Sequence, residues 1–596
     1  MSYLLGITIG PVQTFIQESR KLMDLYNSSK IISQIMINCY KYIETNSSKC
    51  ELIYPNYGDI KDEVKADCSN YMIFEIQDLI DMEEIENKIY ENFKVESKVL
   101  KENFHLFWAM LENDTEYKDK YKELIKIMKG IKNTYKFEQY EQKEGRYKCS
   151  ICGKRNGTHA KGKNDKALSS DELLCELCYF KRTYNHDDIN NKIPSIYDIA
   201  ISNWENKYKE KILQYLSVII KNDESIDYYI NFKNKKYYNP NEFKNIIALM
   251  DNQKKYKDKL DEYKGEINIK IKELNKESLK KVSDKLIEIY KSDKLNIPIP
   301  NYEYCFIQFD IDNLGKWMSK EEVICSKDNQ KEISRELISF TNNVSTELYK
   351  EDKKLRDSVN IIYSGGDDFL AISSIDNIEL IFKTIEKHYN KLLNNLNNFF
   401  KYDKKITYSI SITIAQCKDP MSYALEKTRL ELNKVKELYE NVGYQKNGVA
   451  INYIINNGKY ITTYMKKDKL KEFLNLVKEY KSLDKNKDIS FSYINKLNED
   501  FKDFNYENLT NEEKIFLYKV ISKDLIRIIS RSMDKDNYAI YSKDLYYFIM
   551  EIIKDNFNKS KRDKNHFDLD IQNVINILNM YKKFCEIEFR DDKDEL

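Results

Sequence analysis

The chain has 596 residues, a third of them charged, yet 98 basic and 97 acidic side chains leave a formal net charge of +1. That length suggests about three to five structural units, and the neutral balance carries no global signature of a nucleic-acid binder, although local basic faces stay compatible with it. The N-terminus has no basic, apolar leader and no window of about 18 apolar residues exists, so neither a signal peptide nor a membrane span is expected.

Taken in order, Tyr3–Ile9 reads as a strand that Gly10-Pro11-Val12-Gln13 turns into a helix. Phe15, Ile16, Leu22, Leu25, Ile31, Ile32 and Ile35 recur there at helical spacing. Leu52–Pro55 and Tyr71–Ile76 are strand candidates, Ile80–Phe93 is helical by pattern, and Phe104–Met110 suits either state. The β-α-β-β-α-β order is that of a ferredoxin-like unit, placed at 1–140. It holds no hairpin with paired carboxylates, so by itself it predicts no chemistry.

Four of the 11 cysteines form two Cys-x-x-Cys pairs, Cys149/Cys152 and Cys175/Cys178, with 22 residues between the pairs. Four thiolates at that spacing suit tetrahedral Zn²⁺ in a zinc ribbon over 141–200, in a reducing, cytoplasmic setting. Four protein ligands leave no open position, so the expected role is structural. His186-Asp187 follows. A metal-dependent phosphohydrolase would need further His and Asp ligands, and the chain has five histidines with no cluster in sequence. A polar loop is the reading preferred there. Residues 201–297 have helical periodicity, strongest over Glu266–Ile289, and Ile297-Pro298-Ile299-Pro300 ends that unit.

Residues 298–460 repeat the β-α-β-β-α-β order. A mostly apolar strand from Tyr304 runs into Asp310-Ile311-Asp312-Asn313-Leu314-Gly315. Ile333, Leu337, Phe340, Val344 and Leu348 line one helix. Val359–Tyr363 and Phe369–Ile372 then flank Ser364-Gly365-Gly366-Asp367-Asp368, a tight hairpin with two carboxylates at its tip. Adjacent carboxylates repel and need a neutralising cation. With Asp310 at a neighbouring strand end they suit a pair of divalent ions about 4 Å apart, the arrangement that stabilises an in-line phosphoryl displacement. Ile378–Leu396 is a helix, Ile406–Ile414 alternates as a half-buried strand, Leu425–Tyr439 is helical and Val449–Ile454 a last strand. From 461 to 596 the pattern is helical throughout, with Leu470, Phe473, Leu476 and Val477 and then Ile515 to Ile529 recurring at three and four. The fold class expected is α+β: two related sheet domains, a zinc ribbon and helical middle and C-terminal domains.

These motifs together resemble the large subunit of type III CRISPR effector complexes, in its Cmr (III-B) branch. The likeness rests on Ile9-Gly10-Pro11-Val12-Gln13-Thr14-Phe15-Ile16 with Asp24-Leu25-Tyr26-Asn27-Ser28-Ser29, on the cysteine pairs with Lys181-Arg182, and on three palm elements. The palm elements are Asp310–Gly315, Ser-Gly-Gly-Asp-Asp, and Leu432-x-x-Val435-Lys436 with Lys446-Asn447-Gly448-Val449. It spans roughly 1–455.

The resemblance implies two palm (nucleotide cyclase-like) domains, the second catalytic. It implies a nucleotidyltransferase that makes a second messenger from ATP when the complex holds target RNA. Asp310, Asp367 and Asp368 would bind two Mg²⁺ or Mn²⁺ ions, Ile311, Ser364, Gly365 and Gly366 would line the nucleotide site, and Lys436 would face the triphosphate. Other Cmr-type subunits, guide RNA and target RNA would be partners. Many relatives begin with a His-Asp nuclease domain; a first palm starting at residue 3 predicts no DNase activity. Both classes of product in such relatives, cyclic oligoadenylate and AMP joined to S-adenosylmethionine, require the same donor site, so the acceptor stays open. A diguanylate cyclase would carry Glu-Phe after the first hairpin Asp. A viral-type RNA polymerase would separate its first two Asp by four residues, where Asp310 and Asp312 are separated by one. A non-catalytic nucleotide-holding scaffold remains the alternative of a different class.

Overall fold

The computed structural model of the chain describes residues 2–56, 69–91, 93–134, 147–162, 167–169, 171–184, 193–221, 235–250, 276–320, 325–350, 357–396, 406–440, 446–455, 458–482, 491–501, 543–552 and 571–587, with residues 260, 263 and 323 and a few positions between 510 and 528. Strands β1 (Tyr3–Gly10), β2 (Cys50–Tyr54), β3 (Tyr71–Ile76) and β4 (His105–Glu112) form an antiparallel sheet in the order β2-β3-β1-β4, the ferredoxin-like arrangement. One face carries the long Leu22–Asn46 helix, whose Leu25, Ile31 and Ile35 are fully buried. The Tyr117–Asn133 helix covers the other. It approaches so closely that a Cβ at Gly6 would stand 3.3 Å from Leu124 and Met128. The ambiguous Phe104–Met110 segment is strand, because β4 pairs along the whole of β1. The helix expected over Ile80–Phe93 is shorter, Met82–Lys88, and begins where the Asp81 side chain accepts from the Glu83 and Glu84 amides.

The second sheet has six strands: β7 (Glu303–Ile311), β8 (Val359–Gly365), β9 (Asp368–Ser374), β10 (Tyr408–Gln416), β11 (Gly448–Ile454) and β12 (Tyr460–Lys466), in the order β12-β11-β10-β7-β9-β8. The last four, β10-β7-β9-β8, repeat the ferredoxin-like order. Alternation along β7 divides its side chains between two cores. Cys305, Ile307, Phe309 and Ile311 pack with the Lys327–Lys350 and Ile378–Leu396 helices, whereas Tyr304 and Phe306 join the core of the first domain. The first domain therefore lies on the back of the second sheet.

Two expectations are corrected. β10 is buried on both faces, not one, because the Met421–Glu440 helix covers its hydroxyl face. Ser411 and Thr413 there accept from Asn452 Nδ2 at 3.3 and 3.0 Å. The C-terminal region is not helical from its start, since β12 adds to the sheet beside β11. Leu470, Phe473, Leu476 and Val477 are buried as expected, in a core continuous with that of the second sheet. In the middle unit, Lys276–Lys291 is helical, and residues 266–275 lie outside the described residues, as do His186 and Asp187.

The two-stranded cysteine module, β5 (His159–Ala160) with β6 (Leu173–Leu174), is fastened to the first domain by buried charge. Arg182 makes a bidentate pair with Asp24, Nη2 to Oδ2 being 2.9 Å, and its Nη1 reaches Glu172 at 3.2 Å. Lys181 donates to the Phe15 and Glu18 carbonyls at 2.7 and 2.5 Å. Although burial opposes its ionisation, the charges of Arg182 and Lys21 hold the Glu172 carboxyl down at about 2. Removing one partner leaves a charge buried and unpaired, so Arg182→Met should destabilise the chain by about 3–5 kcal/mol in urea unfolding. A carboxyl depressed in the folded state stabilises above its unfolded value of about 4.3 and loses that contribution as pH falls toward 2. The stability difference between wild type and Arg182→Met should accordingly shrink across that window.

Candidate functional site

The acidic hairpin is built by register. β8 and β9 are joined by Gly366 and Asp367 alone, with Gly365 opposite Asp368. Gly366 has φ +64°, which the first position of a tight hairpin turn needs and other residues resist. β9 also pairs with β7 and sets Asp368 directly across from Asp310. The Ile311 amide donates to the Asp367 carbonyl at 3.1 Å and pins the tip to the end of β7. Three carboxylates from two sequence-distant segments thus meet at one sheet edge.

Their mutual charge is visible in their acidity. Burial, reinforced by the Asp310 charge, pushes the Asp367 carboxyl up to about 7, and burial with the Asp367 and Asp310 charges raises Asp368 well above the carboxylate range. Lys436, on the Met421–Glu440 helix, opposes both shifts and forms an ion pair with Asp310. One ammonium against three carboxylates leaves the cluster short of positive charge, and its donors are hard oxygens; the set fits Mg²⁺ or Mn²⁺. Among the described residues, the four cysteines are the one group of three or more metal-ligating side chains whose ligand atoms all lie within 4.8 Å; the three aspartates are not drawn together to that degree.

Asp312, the second acid of the Asp-x-Asp, has a different job. It is 1% exposed and accepts from Thr407 Oγ1 at 2.8 Å, Ser409 Oγ at 2.9 Å and the Asn447 amide at 2.9 Å. It joins the end of β7 to β10 and to the loop entering β11, where Lys446 and Asn447 take φ values of +53° and +55°. At the next position a Cβ on Gly448 would meet Val435 and Tyr439 at 2.6 Å, so the Lys436 helix rests directly on this loop. Asp312 and Gly448 together place that helix.

The remaining predicted residues are distributed unevenly. The Ile311 side chain belongs to the palm core, leaving only its backbone near the carboxylates. The Ser364 hydroxyl is turned toward the Lys327–Lys350 helix, donating to the Thr341 carbonyl at 3.1 Å and accepting from Ser345 at 2.9 Å. Beside Ser364, Gly365 and Gly366 lies a cavity of about 10 Å³, also lined by Tyr54, Ser334 and Asn342, with room for about one water. Tyr54 comes from the first domain, its hydroxyl stands 3.7 Å from a Cβ built on Gly366, and it feels the charges of Asp367 and Asp368. No sequence signal marks it, since a tyrosine at a strand end is common. Lys327 fastens the same junction by donating to Glu51 at 2.7 Å and Glu75 at 2.6 Å.

Cys149, Cys152, Cys175 and Cys178 converge, with Cys152 Sγ 4.0 Å from Cys175 Sγ. A tetrahedral Zn²⁺ with bonds of about 2.3 Å separates its sulfurs by roughly 3.8 Å, so the set fits zinc. Gly153, at φ +64°, closes the first knuckle by donating its amide to the Cys149 carbonyl at 3.0 Å.

Residues 303–449 match the family model of the Cas10/Cmr2 second palm domain, and residues 4–132 match that of the N-terminal part of CRISPR-associated protein Cmr2. Both sheet-bearing halves of the chain resemble the Cmr2 large subunit of type III-B complexes. The Cmr subunit Cmr2 of Pyrococcus furiosus is 24% identical over 591 aligned positions, covering 79% of this chain and 64% of that Cmr2. The chain thus spans a little under two thirds of this relative's length. Two solved structures of type III-B Cmr-beta share the fold. The one bound to cognate target RNA superposes with a TM-score of 0.59 at 13% identity, over 98% of this chain and 83% of that one. The apo state gives 0.56 at 14% identity, over 98% and 82%. The Cmr2 palm match contains Asp310, Asp367, Asp368 and Lys436; the four cysteines lie outside both matched ranges. No helix among the described residues is long and apolar enough to cross a membrane.

Two measurements check these assignments. Metal analysis of purified protein should find about one zinc per chain, lost in Cys152→Ser/Cys175→Ser. Asp312→Ala should lower unfolding free energy by roughly 2–4 kcal/mol by stranding its buried donors, whereas Asp310→Ala, at the partly exposed edge, should change it by less than about 1 kcal/mol.

Proposed function

We propose that the chain is the RNA-activated nucleotidyltransferase subunit of a type III-B CRISPR complex and makes a nucleotide second messenger from ATP. The observation that carries this reading is the register pairing of Asp310 with Asp368 at the foot of a Gly-Gly turn, with Lys436 on Asp310. In this reading Asp310, Asp367 and Asp368 hold two Mg²⁺ or Mn²⁺ ions. Such a pair, when bound, stabilises the charge on the attacking and leaving oxygens. A ribose 3′-hydroxyl attacks the α-phosphorus of ATP in line, and pyrophosphate departs. Lys436 exchanges its partner from Asp310 to the triphosphate, where a preorganised cation opposes the developing charge. Asp312 keeps that lysine in place by fixing the loop beneath its helix. The acceptor is a second ATP, giving cyclic oligoadenylate, or S-adenosylmethionine, giving its AMP conjugate. Other Cmr-type subunits, guide RNA and target RNA are the partners proposed, on the likeness to Cmr-beta bound to cognate target RNA.

A second reading is a nucleotide-holding scaffold without catalysis. The looser spacing of the three aspartates favours it, because among the described residues only the four cysteines draw their ligand atoms within 4.8 Å of one another. The RNA-activated complex, supplied with labelled ATP with and without S-adenosylmethionine, separates the two. If the first reading holds, Asp367→Ala/Asp368→Ala lowers ATP consumption by at least about a hundredfold, as losing several kcal/mol of charge stabilisation requires. Unchanged consumption leaves only the scaffold.

A further inference from the structure

Arg429 lies on the same helix as Lys436, seven residues and so about two turns earlier, on the same side. Its Nη1 donates to the carbonyl of Gln13 at 2.9 Å, in the short Val12–Gln17 helix that follows β1 of the first domain. Its charge is felt at the hydroxyl of Tyr363, where it partly offsets the effect of burial, and that hydroxyl accepts from Gln308 Nε2 at 3.1 Å. Tyr363 is on β8 two residues before the Gly-Gly turn, and Gln308 is two residues before Asp310 on β7, on the same face about 7 Å away. A line of polar contacts therefore runs from the first domain to both strands that carry the acidic side chains. Arg429 Nε and Gln308 Oε1 are buried in this line without a protein partner. Filling the space with apolar side chains would avoid that penalty.

We propose that Arg429, with Tyr363, is a positioning residue through which the first domain sets the geometry of the acidic hairpin. Arg429 touches neither reacting atoms nor the carboxylates. It holds β8 and, through its own helix, keeps Lys436 opposite Asp310. The first domain is then a working part of the site. The kinetic arm of the test rests on the catalytic reading above; the exchange arm does not.

The full chain is compared with Arg429→Ala, Arg429→Lys and Tyr363→Phe. Hydrogen exchange at Gly365–Asp368 should accelerate in Arg429→Ala and Tyr363→Phe, while the amides of β10 and β11 stay protected. In the RNA-activated complex, kcat should fall about tenfold to a hundredfold, the range a small misplacement produces. KM for ATP should move less than about twofold, the mark of an effect outside substrate binding. The half-saturating Mn²⁺ concentration should rise, and Arg429→Lys should recover part of each loss. Unchanged exchange in the hairpin, or protection lost uniformly over the whole second sheet, overturns the proposal. If wild type consumes no ATP, the catalytic reading fails, and the exchange result still decides whether the tie exists.

Discussion

Repulsion among three carboxylates is the constraint that organises this protein. Asp310, Asp367 and Asp368 are brought together by β-pairing, not by affinity for each other, and burial weakens the last two as acids, so that they give up their protons only near neutrality and above. A cluster of this kind is stable only if the surrounding fold is rigid enough to hold it. The six-stranded sheet, the Asp312 clamp and the first domain behind the hairpin supply that rigidity. The energy stored in bringing the charges together is then available to bind cations, since each ion relieves several repulsions at once.

The duplicated architecture gains a physical meaning from this. Among the described residues the first domain presents no acidic hairpin, yet it covers the face of the second sheet on which Gln308 and Asp310 lie and contributes Tyr54 and the Gln13 carbonyl to the junction. The cysteine module is fixed to the first domain by Arg182 and Lys181, whose burial explains why these two cations follow the second cysteine pair so closely.

Much of this was legible in the sequence where local chemistry dictates structure. Gly366 and the flanking apolar runs announce a hairpin, and the four cysteines announce a cluster, because turns and thiol ligands obey short-range rules. Less legible were features decided by neighbours distant in the chain. Ser409, Ser411 and Thr413 look like a solvated strand face, but a helix covers them and Asp312 and Asn452 satisfy them. Asp310 and Asp312 look equivalent in sequence; strand alternation sends both to the same side, but only Asp312 lies where Thr407, Ser409 and Asn447 can reach it. β12 was hidden because Tyr460–Lys466 leads directly into an amphipathic helix whose periodicity dominates the segment. Tyr54 and Arg429 carry no local pattern and become visible only once two domains meet.

The account depends on the acidic edge being a cation and nucleotide site. A crystal structure of the chain with Mn²⁺ and a non-hydrolysable ATP analogue tests that most directly. Two anomalous peaks, each within about 2.6 Å of oxygens from Asp310, Asp367 or Asp368 and bridged by phosphate, are the predicted result. Manganese bound elsewhere, with the hairpin unchanged and no triphosphate beside Lys436, would contradict it.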